Sequence, residues 1–492
     1  MTQFTIGEGV EHVPADLEAF TNHLHGALSD SPDIVYRSIV IGGNKGVIVY
    51  IEGLADPRLV LESIHDESPL WSESTGSTAV EDNYTRLQEH AISEGKVEEA
   101  HLLGLVISAL LSGNTIIYLE GMSSALLVGT ENLKQRAVQE ASSQSVVRGP
   151  REGFTESLRD NTSLVRRRIQ NPKLRLQEHT MGEESRTKVA IMFMEGKVDP
   201  DVLLELNKRL KHISLESILE SNYIEEMIQD QRYSPFPTVY NTERPDIIAA
   251  ALLDGRIAIF VEGTPFVLVV PALFLHFFQS SEDYYQRGDF ASLVRFLRYI
   301  CFAIALLTPS FYIAITTFHQ EMIPANLLMS LIGQREGIPF PAFIEALLME
   351  VTFEILREAG IRLPKSIGQS VSIVGTLVIG QAAVEAGLIS AAMVIVVSIT
   401  AIANFALPTF NMGISVRMLR FVLMAITASF GLFGMSIALI MLALHLCNLQ
   451  SMGIPYMTSF APFRWSDQKD ALLRLSRPVM NKYFGRSGKK DY

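Results

Sequence analysis

The hydrophobic pattern changes character near residue 295. Upstream, short Val-, Ile- and aromatic-rich runs alternate with charged, helix-like stretches. Downstream, the runs Tyr299–Phe318, Val371–Ile389, Ala391–Phe405 and Phe421–Cys447 carry almost no charge. A membrane-crossing helix needs roughly 20 mostly apolar residues, and hydrocarbon admits only helices or closed barrels. The expected fold class is an α/β soluble head of two duplicated lobes followed by an all-α polytopic membrane domain. That architecture favours transport, ion conduction or signalling over soluble catalysis.

The duplication is read from a repeat. Gly46–Pro57 is GVIVYIEGLADP and Val189–Pro200 is VAIMFMEGKVDP, so Glu52-Gly53 matches Glu195-Gly196 and Asp56-Pro57 matches Asp199-Pro200. Second elements follow: LSGNTIIYLEG at Leu111–Gly121 and LDGRIAIFVEG at Leu253–Gly263. Glu120 lies 68 residues after Glu52, and Glu262 lies 67 after Glu195. Each then runs into another apolar strand, which is hairpin grammar. The Asp-Pro steps predict helix starts, with Asp as N-cap and Pro in the first turn. The Glu-Gly pairs read as strand-end turn chemistry. Residues 1–145 form the first expected lobe, 146–184 an Arg-rich connector and 185–290 the second lobe. Residues 291–450 form the helical membrane domain and 451–492 a basic C-terminal tail.

The connector holds Arg148, Arg151, Arg159, Arg166, Arg167 and Arg168. Two readings stand: a link whose arginines pair with the acidic lobes, or a docking segment for a neighbouring subunit, since guanidinium forks suit interface pairs. Gly42–Gly46 (GGNKG) lacks the phosphate-loop pattern and reads as a turn. No G-x-S-x-G elbow, GxGxxG fingerprint or metal-spaced His/Cys/acid cluster is present, so no enzyme, cofactor or metal is expected. The net charge of −12 argues against nucleic acid as a partner. Mean hydropathy is +0.23 although 19% of residues are charged, which requires the charges to be segregated. Cys301 and Cys447 both lie in apolar runs and suit buried thiols. The N-terminus has neither a basic nor an apolar signal region, so the head is expected to stay on the cytoplasmic side.

In the apolar half, Pro341–Gly360 has helical period with an acidic stripe of Glu350, Glu354 and Glu358. It reads either as an interfacial helix whose acids pair with Arg357 and Arg362, or as the acidic rim of a cation path. Ser366–Ile389 (SIGQSVSIVGTLVIGQAAVEAGLI) is apolar yet dotted with small and polar residues. Gln369, Ser372, Thr376 and Gly380 share one helical face. That face fits close helix packing or the lining of a narrow path in an oligomer. Gly431 and Gly434 permit close packing or a bend in the last run. Placing Arg357, Arg362, Lys365, Arg417 and Arg420 inside gives five crossings and an outside tail, whereas the basic tail argues for an even count. The expectation is four to five crossings with the head inside and the tail's side open.

The strings RGPREGFTESLRDNTSLVRRRI, DGRIAIFVEGTPFVLVVP and SIGQSVSIVGTLVIGQAAVEAGLIS resemble the A-subunit family of bacterial spore germinant receptors, the GerA type. The resemblance runs from about Ile34 to Arg474. It implies a multi-pass protein of the spore inner membrane with no enzymatic activity. It also implies a transporter-like B subunit that binds the nutrient and a lipoprotein C subunit. The A subunits are expected to form a homo-oligomeric ring, a pentamer, enclosing a nutrient-gated channel for monovalent cations. Under that resemblance Gln369, Ser372, Thr376 and Gly380 become pore-lining candidates. Glu350, Glu354 and Glu358 become vestibule candidates, and Arg148, Arg151 and Arg166–Arg168 subunit-docking candidates. The family's accessory paralogue, which pairs with a small membrane partner, is not separable from a primary receptor subunit by sequence. The rival reading is a non-conducting membrane scaffold or signal amplifier that recruits partners. A secondary transporter would need an inverted repeat, which the apolar half does not show.

Overall fold

The computed structural model describes residues 11–66, 77–88, 96–131, 144, 146–362, 380–458, 460–463, 468–471 and 473–474. The chain forms two compact units. The first comprises residues 1–229 and 239–271, the second residues 230–238 and 272–492.

The first unit holds two five-stranded sheets. One is built from α1 (Leu17–Leu28), β1 (Ile34–Ile41), β2 (Asn44–Ile51), α2 (Arg58–Asp66), α3 (Ser77–Arg86), β3 (Val97–Ala100), α4 (Leu103–Leu111), β4 (Thr115–Leu119) and β5 (Ala125–Val128). The other follows the same succession: α5 (Leu158–Arg168), β6 (Leu174–Met181), β7 (Thr187–Met194), α6 (Pro200–Lys211), α7 (Ser221–Ile228), β8 (Tyr240–Thr242), α8 (Pro245–Leu253), β9 (Ile257–Val261) and β10 (Val267–Val270). Strand orders are β1-β2-β4-β5-β3 and β6-β7-β9-β10-β8, position for position the same. Every described strand pair in the two sheets is antiparallel.

Backbone bonds repeat as well. Gly121 N–H donates to Ala15 as Gly263 N–H donates to Glu156, and Glu120 N–H donates to Lys45 as Glu262 N–H donates to Lys188. Gly53, Gly121, Gly196 and Gly263 all have φ between 79° and 93°, the left-handed region that glycine enters without cost. The Glu-Gly repeat is thus the signature of one turn used four times. Asp199 caps α6 through its side chain, with Pro200 in the first turn.

All five residues of β4 and of β9 are buried, because helices cover both faces of each sheet. In the first sheet, alternation splits the core in two. Val47, Val49, Ile116 and Tyr118 pack with α1 and α4, while Ile48, Ile117 and Leu119 pack on the opposite face with Val60 and Tyr84.

The segment 146–184 is therefore more than a connector. It carries α5 and β6, two elements of the second sheet's lobe, and the boundary drawn at 185 falls in the turn between β6 and β7. Leu158, Leu164 and Val165 are buried in α5 beneath its arginines.

The second unit is helical: α9 (Glu282–Tyr285), α10 (Gly288–Thr317), α11 (Ala325–Arg335), α12 (Ala342–Arg362), α13 (Ala391–Phe405) and α14 (Phe410–Asn448). A small hairpin, β11 (Gln450–Ser451) and β12 (Ile454–Pro455), follows, and α15 (Gln468–Ala471) is the last described element. Two of these helices, α10 and α14, are long and apolar enough to cross a membrane.

Helix α14 is not one rod. Gly431 has φ 60° and ψ −148°, outside any helix. Contacts show that the chain doubles back there. Thr409 at the start of α14 donates to the Phe277 carbonyl 3.2 Å away, just before α10. Gly431 lies against Phe318 and His319, just after α10. Beyond α14, Ser451 accepts from the Ala272 amide at 2.9 Å and the Tyr456 ring stands 5.9 Å from Phe274, back at the beginning of α10. The end of the unit where α10 begins is called proximal here, and the end near Gly431 distal. The run Phe421–Cys447, expected as one helix, is the greater part of a helical hairpin. Its legs, 410–430 and 432–448, are about 32 and 26 Å long at 1.5 Å per residue.

Candidate functional site

The charges of the helical unit are concentrated where α12 meets the first leg of α14. Glu350 lies 2.8 Å from Arg420, with side chains only 1% and 2% exposed. One turn along, Glu354 pairs with Arg417 at 2.7 Å and with Arg357 at 2.8 Å. Glu358 pairs with Arg362 on the surface of α12. The i, i+4 spacing of the acids puts them on one face, and Arg417 and Arg420, three apart, present a matching edge of α14. The helices run antiparallel at this contact.

Arg420 sits about midway along its leg, so the pair lies at mid-depth of the unit. Buried ions must be paired, because an isolated one loses its hydration without return. Each candidate vestibule carboxylate thus has an arginine partner within the protein: Glu350 and Glu354 reach across to α14, whereas Glu358 pairs along α12.

A second buried acid escaped the sequence reading. Glu345, fully buried in α12, accepts from the Ser390 amide at 3.0 Å and stands 3.4 Å from Arg335. It thereby fixes the start of α13, whose N-cap Ser390 accepts from Met393 N–H. Its signal was an acid in an otherwise apolar run, one turn before the stripe and off its face. The proximal end has its own cluster. Arg295 and Arg298 share Asp283, at 3.2 and 2.9 Å. Arg295 also reaches Asp470, whose carbonyl accepts from Gln279 at 2.8 Å. Arg474 N–H donates to Ser292 at 2.9 Å. Residues 468–471 and 473–474 are thereby docked at the proximal end of α10.

The pore candidates Gln369, Ser372 and Thr376 lie outside the described residues. Gly380 is the first described residue of a helical turn, 380–385, and a Cβ there would meet Val394 at 3.6 Å. Arg362 closes α12 toward the proximal end, while Gly380 stands beside the first turn of α13 toward the distal end. An apolar cavity of about 850 Å³ lies among α12, this turn and α13, lined by Phe353, Leu356, Val384, Val394, Ile402 and Phe405. Among the described residues, no group of three or more His, Cys, Asp or Glu could hold a metal ion.

The arginines of the 148–168 segment are engaged within the protein. Arg166, 2% exposed, forks onto Asp33, donates to Ser31 at 2.9 Å and to the Leu174 carbonyl at 3.2 Å. It ties α5 to the residues that open β1. Arg159 pairs with Glu52 at 3.0 Å, and Arg168 with Glu152. Arg148, Arg151 and Arg167 also have partners in the protein.

The family model described as the Bacillus/Clostridium GerA spore germination protein matches residues 22–483. The chain belongs to the GerA family. It is 48% identical over 451 residues to spore germination protein KA of Bacillus subtilis (strain 168), covering 91% of this chain and 82% of that one. It is 46% identical over 443 residues to the uncharacterized membrane protein YfkQ of the same organism, covering 90% and 85%. The crystal structure of the N-terminal domain of the A subunit of the Bacillus megaterium spore germinant receptor GerK3 aligns with 35% identity and a TM-score of 0.42, over 54% of this chain and 99% of that one. This GerA-family chain is thus a homologue of spore germination A subunits, a receptor family and not an enzyme family. A receptor complex with other germination subunits follows from that membership.

Proposed function

We propose that this chain is the membrane subunit of a nutrient-responsive germination receptor. Five copies form a ring around a path for monovalent cations, and the path opens when a transporter-like B subunit, working with a lipoprotein C subunit, senses the germinant. The site of action is the spore inner membrane, with the sheet unit on the core side. One observation carries the reading: the small-polar stretch containing Gln369, Ser372 and Thr376 is bracketed by Arg362 at the proximal end and Gly380 at the distal end.

The hairpin at Gly431 also supports a consistent path through the bilayer. With the apolar run Val371–Ile389 taken as a crossing from its sequence, α10, α12, α13 and the two legs of α14 bring the proposed number of passes to six. The docked tail then shares a side with the start of α10. An even count, reached with the extra pass at Gly431, would reconcile the basic loops with the basic tail. Arg295, Arg298 and Arg362 gather at the proximal end, which the positive-inside rule assigns to the cytoplasm.

The test is monovalent cation release from spores carrying Ser372→Ala, Thr376→Ala or a bulky residue at Gly380, with abundance checked by immunoblot. The first two are expected to alter gating and the third to block release. Wild-type release from all three at normal abundance would remove this helix from the path. Purified protein that never conducts in bilayers would favour the scaffold.

A further inference from the structure

The chain passes between its two units three times, at 229/230, 238/239 and 271/272. One passage is enough to tether two bodies. The other two exist because nine residues between α7 and β8 leave the sheet unit, join the helical unit and return. They read Asp-Gln-Arg-Tyr-Ser-Pro-Phe-Pro-Thr. Their contacts converge on the α14 hairpin. Pro235 carbonyl accepts from Ser415 on the first leg. Ser234 hydroxyl lies 2.9 Å from His445 Nε2 on the second leg. Phe236, 3% exposed, sets its ring 6.3 Å from the His445 ring. Beyond the legs, Asp230 accepts from Met452 N–H at 2.7 Å and Thr238 carbonyl from the Ser451 hydroxyl at 2.6 Å.

Residues 230–238 therefore hold both legs of one hairpin at its open end. Pro235 and Pro237 fix two backbone torsions, which makes the segment stiff. Its base is clamped as well: Asn241 on β8 donates to Glu225 on α7 at 3.4 Å, one residue from each side of the excursion. At the closed end of the same hairpin, Gly431 supplies a non-helical residue able to absorb a change of angle, as hinge positions do.

We propose that residues 230–238 are a coupling lever, through which displacement of the second sheet's α7 and β8 changes the spread of the two α14 legs. The lever rests on the receptor reading and assigns this segment the step between sensing and opening. Ser415 and His445 are positioning residues in it, since they act through the hairpin.

The experiment lengthens the lever's arms. Gly-Gly is inserted at 229/230 or at 238/239 in the full chain, with the same insertion at the Gly42-Gly43 turn as control. Spores carrying each variant as sole receptor A subunit receive a mixture of L-amino acids, sugars and nucleosides, and cation release is followed with abundance by immunoblot. Both lever insertions are expected to slow release about tenfold or more, the size of an ordinary coupling, while the control matches wild type. Wild-type release from both lever insertions at normal abundance would overturn the proposal. If the insertions reduce abundance, Ser415→Ala and His445→Ala decide. At constant length the first removes the Pro235 contact and the second the Ser234 and Phe236 contacts, and each is expected to shift the half-maximal nutrient dose several-fold; an unchanged dose response in both overturns the lever. Bilayer conductance of the purified variants separates the two ideas. Absence of conductance in every variant, wild type included, defeats the channel, whereas the lever stands or falls on the spore dose response.

Discussion

Glu225 is a carboxylic acid in a place that disfavours its charge. Burial in the second lobe, reinforced by Glu220 and Glu226, pushes it up to about 7, against the opposing hydrogen bond from Asn241. The folded chain therefore keeps a proton that the unfolded chain releases near its ordinary value of 4.5. Stability contributed by this group is full below that value and is lost as pH climbs toward 7. Each pKa unit is worth about 1.4 kcal/mol, so the loss is on the order of 3 kcal/mol. Glu225→Gln is expected to remove that slope and to raise the unfolding temperature at pH 8 while leaving it nearly unchanged at pH 5. Thermal unfolding of the detergent-solubilised chain at the two pH values measures it; an undiminished slope in the variant would assign the titration elsewhere. At this scale the sequence was informative where chemistry is local. The turn glycines of the four Glu-Gly pairs announced themselves, because a left-handed turn needs glycine whatever surrounds it. Glu225 and Glu345 did not, because their environment is made by residues distant in the chain.

Among elements, the α14 hairpin shows where pattern reading stops. A hydropathy pattern records what surrounds a helix, and both legs have the same surroundings, so the run looked continuous. Gly431 and Gly434 could be noted but not told apart. Only Gly431 has the φ/ψ that excludes other residues, and a Cβ there would lie 3.0 Å from both Phe318 and His319. Gly431→Ala is expected to cost about 1–3 kcal/mol in backbone strain alone, more with the contact. Gly413→Ala is the comparison, since its Cβ would meet Asn404 at an ordinary 3.6 Å. Membrane abundance and resistance to limited proteolysis should fall for the first and hold for the second. Equal behaviour would mean that the turn does not depend on glycine. Helix α5 was hidden for the opposite reason: six arginines drew attention to a connector pairing with the lobes or a subunit-docking segment, while Leu158, Leu164 and Val165 among them are the residues the helix buries.

For the whole molecule, the docked tail makes topology measurable. In a chain with Cys301 and Cys447 replaced by Ser, Leu473→Cys, at an exposed position, should react with an impermeant thiol reagent from the same face of membrane vesicles as Lys45→Cys. Glu336→Cys, also exposed, should react from the opposite face. Leu473 and Glu336 labelling from one face would refute an even number of passes between α10 and the tail. The passage of residues 230–238 into the helical unit has a last consequence, for anyone who divides the chain. No single cut after Pro271 yields two finished pieces. The N-terminal fragment would carry off a proline-stiffened plug with Phe236 bared, and the C-terminal fragment would keep Ser415, His445 and Ser451 as an empty socket. Expressed apart, the halves are built to find each other, as complementary fragments of a split protein do.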